Sequence, residues 1–227
     1  VARRERKERA VSPSSEAILA VDIGGGTRDI LLWQASEPLE NAIKLVLPSP
    51  TQSAAARVRR AREQGRPVHL AGWLMGGGPL GKAVEEHLAA GLAVTAEPGP
   101  AATLHDDPRR VREMGVKVGE PPRPEALRVF CSDLEPALLR QTLAAYEAPW
   151  PRAVAAAVCD HGHSPGYSNR KFRFGVWRRF LEAGGGLELL ATQSPPPEMT
   201  RLAALAAQAP GAWVMDTAAA ALWGALE

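Results

Sequence analysis

At 227 residues with 45% apolar side chains, the chain can bury one large core or two small ones, which excludes an intrinsically disordered protein. No apolar run approaches the roughly 20 residues needed to span a bilayer, and the opening stretch, basic and then Ser/Pro-rich, lacks the hydrophobic segment of a secretory signal, so the cytoplasm is the expected compartment and a membrane partner is not. The net charge of +2 is concentrated in residues 1–10, where five Arg/Lys and two Glu leave −1 for everything after them, so a nucleic-acid partner is disfavoured.

Residues 1–16 read as a basic, disordered tail. Behind it, "AILAVDI" and "RDILLW" are short runs rich in branched apolar residues, separated by three glycines. "NAIKLVLP" is a third run, stopped by Pro48. Three strands with such short connections predict an antiparallel meander. The period then changes. "TQSAAARVRRAREQG" predicts a helix capped by Ser49 or Thr51 and ended by Gly65, followed by strand "PVHLAGWLM", helix "PLGKAVEEHLAAG" and strand "LAVTAE".

Residues 97–126 are rich in Pro, Gly and charge and read as a linker between an N-terminal subdomain, 17–96, and a second one, 127–227. In the second, strands "LRVFCSDL" and "PRAVAAAVCD" flank helix "EPALLRQTLAAYEA". Helix "FGVWRRFLEAGGG", strand "LELLAT", helix "PPEMTRLAALAAQAPG", strand "AWVMD" and a terminal helix follow. The fold class is α/β, a mixed sheet covered by helices. Cys131 and Cys159 are too few for a disulfide scaffold, a cysteine zinc site or a four-thiolate cluster, and both read as small buried apolar residues.

The glycines in "VDIGGGTRD" admit three readings. A tight turn needs one or two glycines for positive φ, not three. A dinucleotide fingerprint needs a sixth-position glycine opening a helix, whereas Asp29 stands there and a strand follows. In a phosphate-binding hairpin, the bare NH groups of Gly24, Gly25 and Gly26 and the Thr27 hydroxyl meet phosphate oxygens, and Asp22 holds a hydrated Mg²⁺. On the third reading Gly24, Gly25, Gly26, Thr27 and Asp29 form the cofactor-binding set, and Asp22 is both metal ligand and catalytic residue.

Three other motifs compete. Gly76 to Lys82 has the spacing of a P-loop, but Ala83 lacks the Mg²⁺-binding hydroxyl and Pro79 removes one NH from the cradle. In "CDHGHSPGYSNRKFRF", Asp160 ends an apolar strand beside His161 and His163. Asp160 and His161 are candidate catalytic residues that position or activate a water; alternatively they bind a metal with His163, or the loop is held by its own hydrogen bonds. Asp216 and Thr217, ahead of "AAAALWGAL", serve a ligand or merely cap the helix.

"AVDIGGGTRDI" resembles the phosphate hairpin of the actin-like ATPase superfamily, which implies an actin-like core binding ATP with Mg²⁺. "MGGGP", "CDHGHSP", "SNRKFRF" and "MTRLAALAAQAPGAWVMDTAAAALWGAL" are similar in kind and order to an uncharacterised prokaryotic family labelled as a pyruvate formate-lyase activating enzyme. Members of that family continue past the final helix, so the resemblance implies a chain extending beyond Glu227. Radical activases hold a cluster on three closely spaced cysteines, which these residues do not contain, so the family resemblance implies a fold and a nucleotide rather than that reaction. The expectation is a nucleotide-binding protein acting on a small anionic substrate as an ATP hydrolase or kinase. A non-catalytic nucleotide or protein-interaction module is the alternative, and a P-loop kinase using Gly76 to Lys82 is a lesser one.

Overall fold

The computed structural model describes residues 17–226, so the reading of a tail at 1–16 lies outside it. The first sheet contains β1 (Ala17–Ile23), β2 (Thr27–Gln34), β3 (Ile43–Pro48), β8 (Ala153–Val158) and β9 (Trp213–Asp216), in the order β3-β2-β1-β8-β9. β1 runs antiparallel to β2, and β2 to β3, while β8 and β9 continue parallel to β1. The expected antiparallel opening is therefore present, inside a mixed sheet. A second sheet is wholly parallel and holds β4 (Val68–Gly72), β5 (Val94–Ala96), β6 (Lys117–Val118) and β7 (Leu127–Cys131), in the order β6-β5-β4-β7.

Side-chain alternation fixes which face of the first sheet is covered. In β1, Ala17, Leu19, Val21 and Ile23 are buried while Ile18 and Asp22 are exposed, and in β2 Arg28, Ile30 and Leu32 point the same way as the buried set. Helices α5 (Pro136–Ala145) and α7 (Thr200–Gln208) lay Leu139, Leu143, Leu202 and Leu205 on this face. Helix α6 (Asn169–Glu182) adds Phe172 and Val176 at the margin, and α8 (Thr217–Leu226) contacts β8 and β9.

The second core is separate. Helix α1 (Pro50–Glu63) is capped by Ser49, whose hydroxyl accepts from the Gln52 amide, and it buries Ala54, Ala55, Val58 and Ala61. These small residues let it lie close to β7 and to α2 (Gly78–Ala89), which buries Leu80, Ala83, Val84 and His87. The segment expected as a linker, 97–126, is folded: it carries α3 (Pro98–Leu104), α4 (Pro108–Glu113) and β6, with Ala101, Val111 and Val116 buried. Prolines that look like loop markers stand instead at the starts of both helices, where their missing NH costs nothing. The chain passes between the two sheets after β3 and again after β7, so neither sheet coincides with 17–96 or 127–227. "LELLAT" is a 3-10 turn, Leu187–Leu190, rather than a strand, with only Thr192 bridging Val214. Leu187–Leu190 holds none of the β-branched residues that favour a pleated surface.

His87 sits fully buried between α1 and α2. Burial pushes its pKa below 6.5, with the Val58 backbone opposing and the Arg62 charge assisting. Below that value the unfolded chain takes up a proton that the folded chain refuses, so this part of the stability is present above pH 6.5 and is lost as pH falls through it. His87→Leu is expected to flatten the acid limb of the denaturation midpoint between pH 8 and pH 5 while keeping the midpoint at pH 8. An unchanged acid limb would show that His87 does not carry it.

Candidate functional site

The segments following β1, β4 and β8 converge on one cavity of about 400 Å³, lined by Gly24 and Gly25, by Leu74 to Pro79 and by Cys159 to Gly162. All three follow the carboxyl ends of parallel strands, where α/β sheets gather ligands. Four helices also present their first residues to it: Thr51 of α1, Gly78 of α2, Asn169 of α6 and Thr200 with Arg201 of α7. Unpaired NH groups and the positive ends of helix dipoles make such a place favourable for an anion.

The hairpin is held by its neighbours rather than by special backbone angles. The Gly24 amide donates to the Thr27 carbonyl (2.9 Å), closing the turn. From the start of α1, the Ser49 amide donates to the Gly26 carbonyl (3.0 Å) and the Ser49 hydroxyl to the Gly25 carbonyl (2.9 Å). None of the three glycines has a positive φ. A Cβ added at Gly25 or Gly26 would meet nothing within 4 Å. Neither backbone strain nor packing therefore explains three bare residues, and open space lies beside their backbone.

Asp160 is buried, and both its carboxylate oxygens are engaged: one accepts from the Gly162 amide (2.8 Å), the other from the Leu202 amide at the start of α7 (2.8 Å). Its own amide donates to Asp216 (2.9 Å). Gly162 takes φ +65°, and a side chain there would run into the Phe172 ring and the Glu198 carbonyl. His161 is exposed toward the cavity, with Nδ1 3.5 Å from an Arg173 nitrogen and Nε2 4.0 Å from the Cys159 sulfur. Both contacts lie at the outer edge of hydrogen-bonding distance. His163 turns away to Asp106 (3.6 Å), which also accepts from Asn169 (3.2 Å). Among the described residues no group of three or more His, Cys, Asp or Glu could hold a metal ion, so Asp160, His161 and His163 are not a metal site.

The remaining hairpin candidates lie elsewhere. Asp22 and Asp29 are cross-strand partners on the uncovered face of the first sheet and line a separate apolar hollow of about 570 Å³. The Thr27 hydroxyl donates to Asp29 (3.0 Å), and the Thr217 hydroxyl to Asp22 (3.3 Å). Gly24, Gly25, Asp160 and His161 are thus brought together; Asp22, Gly26, Thr27 and Asp29 do not line this cavity. Lys82 is exposed on α2 and does not line the cavity although Gly76 to Gly78 do, so the P-loop arrangement is not formed.

Several residues at this site had no motif to announce them. Arg201 grips the buried Asp133 with two hydrogen bonds (2.7 and 2.9 Å) and donates to the Cys159 carbonyl (3.0 Å). Asp133 also accepts from the Gly76 amide (3.3 Å), and a Cβ on Gly76 would lie 2.8 Å from the Arg201 guanidinium. Burial lowers the Arg201 pKa, but the hydrogen bond and charge of Asp133 outweigh it and leave it raised. Buried Arg28 on β2 makes a second tie between the sheets, to Glu135 (3.1 Å) and the Leu134 carbonyl (3.2 Å). Cys131 is buried, which pushes its thiol up to about 12, whereas Cys159 is exposed and lines the cavity, contrary to the expectation for it.

These features define an α/β protein with a cavity between a mixed and a parallel sheet, lined by bare glycine backbone, four helix N-termini, Arg201 and the carboxylates of Asp106 and Asp160. Residues 75–227 match the model of the family described as "Putative pyruvate format-lyase activating enzyme (DUF1786)", a domain of unknown function, and the chain belongs to that family. No curated protein and no solved structure matches it. The matched segment contains Gly76 to Gly78, Asp133, the Cys159 to His163 loop and Arg201, while the glycine hairpin precedes it. No helix among the described residues is long and apolar enough to cross a membrane.

Proposed function

We propose that the chain is a nucleotide-binding protein of the actin-like ATPase type, whose inter-sheet cavity receives the phosphates of ATP. One observation carries this reading: side-chain-free Gly24 and Gly25 face the same cavity as four helix N-termini and Arg201. The opening of three antiparallel strands, followed by parallel strands with helices between them, supports the actin-like assignment.

The residues fit phosphate well and Mg²⁺ less directly. Magnesium bound with ATP would neutralise charge on the phosphates. Asp22 is the carboxylate nearest the hairpin in sequence, yet it opens onto the outer hollow rather than the cavity. The radical reaction in the family's label finds no support in the two cysteines present, Cys131 and Cys159, of which one is buried away from the cavity.

Within the cavity Asp160 is a positioning residue, since both oxygens hold backbone amides. His161, on the cavity wall beside Arg173, is placed to meet a phosphate oxygen. With both Asp160 oxygens committed to backbone amides, this favours a module whose conformation is set by bound nucleotide over a fast hydrolase. His161→Ala is expected to weaken Mg·ATP binding by about tenfold or more, the loss of one charge-assisted hydrogen bond, with little change in any phosphate release at saturation. A general base in that position would give the opposite pattern, a fall in release of about 100-fold or more at unchanged affinity. Calorimetry and a phosphate-release assay on the same variant separate the two.

A further inference from the structure

We propose that a second hollow, about 570 Å³ and sharing two wall residues with the phosphate cavity, is the subsite for the nucleobase. This rests on the phosphate reading above, and it assigns a new role to α6. His161 and Asn169 line both spaces, so a ligand whose phosphates occupy the first reaches the second past these two side chains. The hollow has the size of a small-molecule site. Its wall is one face of α6, formed by Arg170, Arg173, Phe174 and Trp177 at helical spacing.

The chemistry of that wall suits a flat aromatic ring. Trp177 is half-buried and braced edge-to-face by Phe180, with ring centroids 5.7 Å apart, so its orientation is set before any ligand arrives. Arg173 is anchored to Asp216 (3.0 Å), which holds its planar guanidinium beside the entrance. Phe174 is 64% exposed among the described residues, with the Arg170 guanidinium 5.9 Å from its ring centroid. Aromatic and guanidinium planes are the groups on which nucleobases stack. The core contacts of α6 come from Phe172 and Val176, not from Phe174 or Trp177.

The test is calorimetry on the full chain and on Trp177→Ala and Phe174→Ala, each titrated with Mg·ATP, with tripolyphosphate plus Mg²⁺ and with adenosine. Wild type is expected to bind ATP more tightly than tripolyphosphate, and each variant to lose about tenfold to 100-fold in ATP affinity while its tripolyphosphate affinity stays within about twofold. Equal wild-type affinities for ATP and tripolyphosphate would overturn the base subsite and leave the phosphate reading standing. So would variants that bind ATP normally, or that lose both ligands equally. A wild type that binds neither ATP nor tripolyphosphate would overturn the phosphate reading itself. Adenosine bound alone, and weakened in both variants, would place the base in the hollow independently of the phosphates.

Discussion

Gly25→Val is expected to abolish Mg·ATP binding while leaving the fold intact. The position has no positive φ and no neighbour within 4 Å of an added Cβ, so the folded chain accommodates a side chain with little strain. Strand and turn geometry around it is held by bonds from Ser49 to the Gly25 and Gly26 carbonyls, which a substitution at Gly25 does not remove. The branched side chain would instead stand where a phosphate must approach the backbone NH groups. Excluding one such contact and displacing its neighbours is expected to cost at least about 100-fold in affinity, roughly 3 kcal/mol. Thermal denaturation should show a midpoint close to wild type, and calorimetry no saturable heat. Normal binding by this variant would mean that the glycine hairpin is a turn only.

Arg201→Ala should give the largest loss of stability. Asp133 is 1% exposed, and both its oxygens accept from Arg201. Removing the arginine leaves a buried carboxylate facing only the Gly76 amide, a situation that costs about 3–5 kcal/mol. The same change loosens the tie among the Gly76 loop, the loop after β7 and the Cys159 carbonyl, all at the cavity. The paired substitution Asp133→Leu with Arg201→Met, which removes both charges, is expected to recover most of the stability without restoring ligand affinity, because the cavity's cation is gone. Denaturant midpoints for the single and double variants check the first claim, and nucleotide titration of the double variant checks the second. A single variant as stable as wild type would show that Arg201 does not hold the sheets together.

The parts of this architecture that depend on local pattern were legible in the chain. Runs of branched apolar residues in "AILAVDI" and "RDILLW" predict β1 and β2 with their turn, and Ser49 or Thr51 predicts the start of α1, where Ser49 is the cap. Asp160 at the end of an apolar strand marks a loop that does reach the cavity. What was not legible depends on contacts distant in sequence. Arg201 looks like a solvated helix residue in "TRLAAL" until Asp133, 68 positions earlier, is brought against it. Asp133 itself had a usable signal, since it follows strand β7 as Asp160 follows β8. The direction of Asp22 was equally hidden: the period of two puts it on the exposed face with Asp29, but only the placement of the second sheet shows that the cavity is on the other side. Residues 97–126 misled because proline opens helices as readily as it ends them.

Whether this cavity binds nucleotide phosphates is decided by isothermal calorimetry of the purified wild-type chain with Mg·ATP, run alongside a thermal shift with and without the nucleotide. Saturable binding of one nucleotide per chain, with a dissociation constant below about 1 mM, and a denaturation midpoint that rises with nucleotide concentration are predicted. A folded protein that shows neither heat nor a shift at several times that concentration would contradict the account.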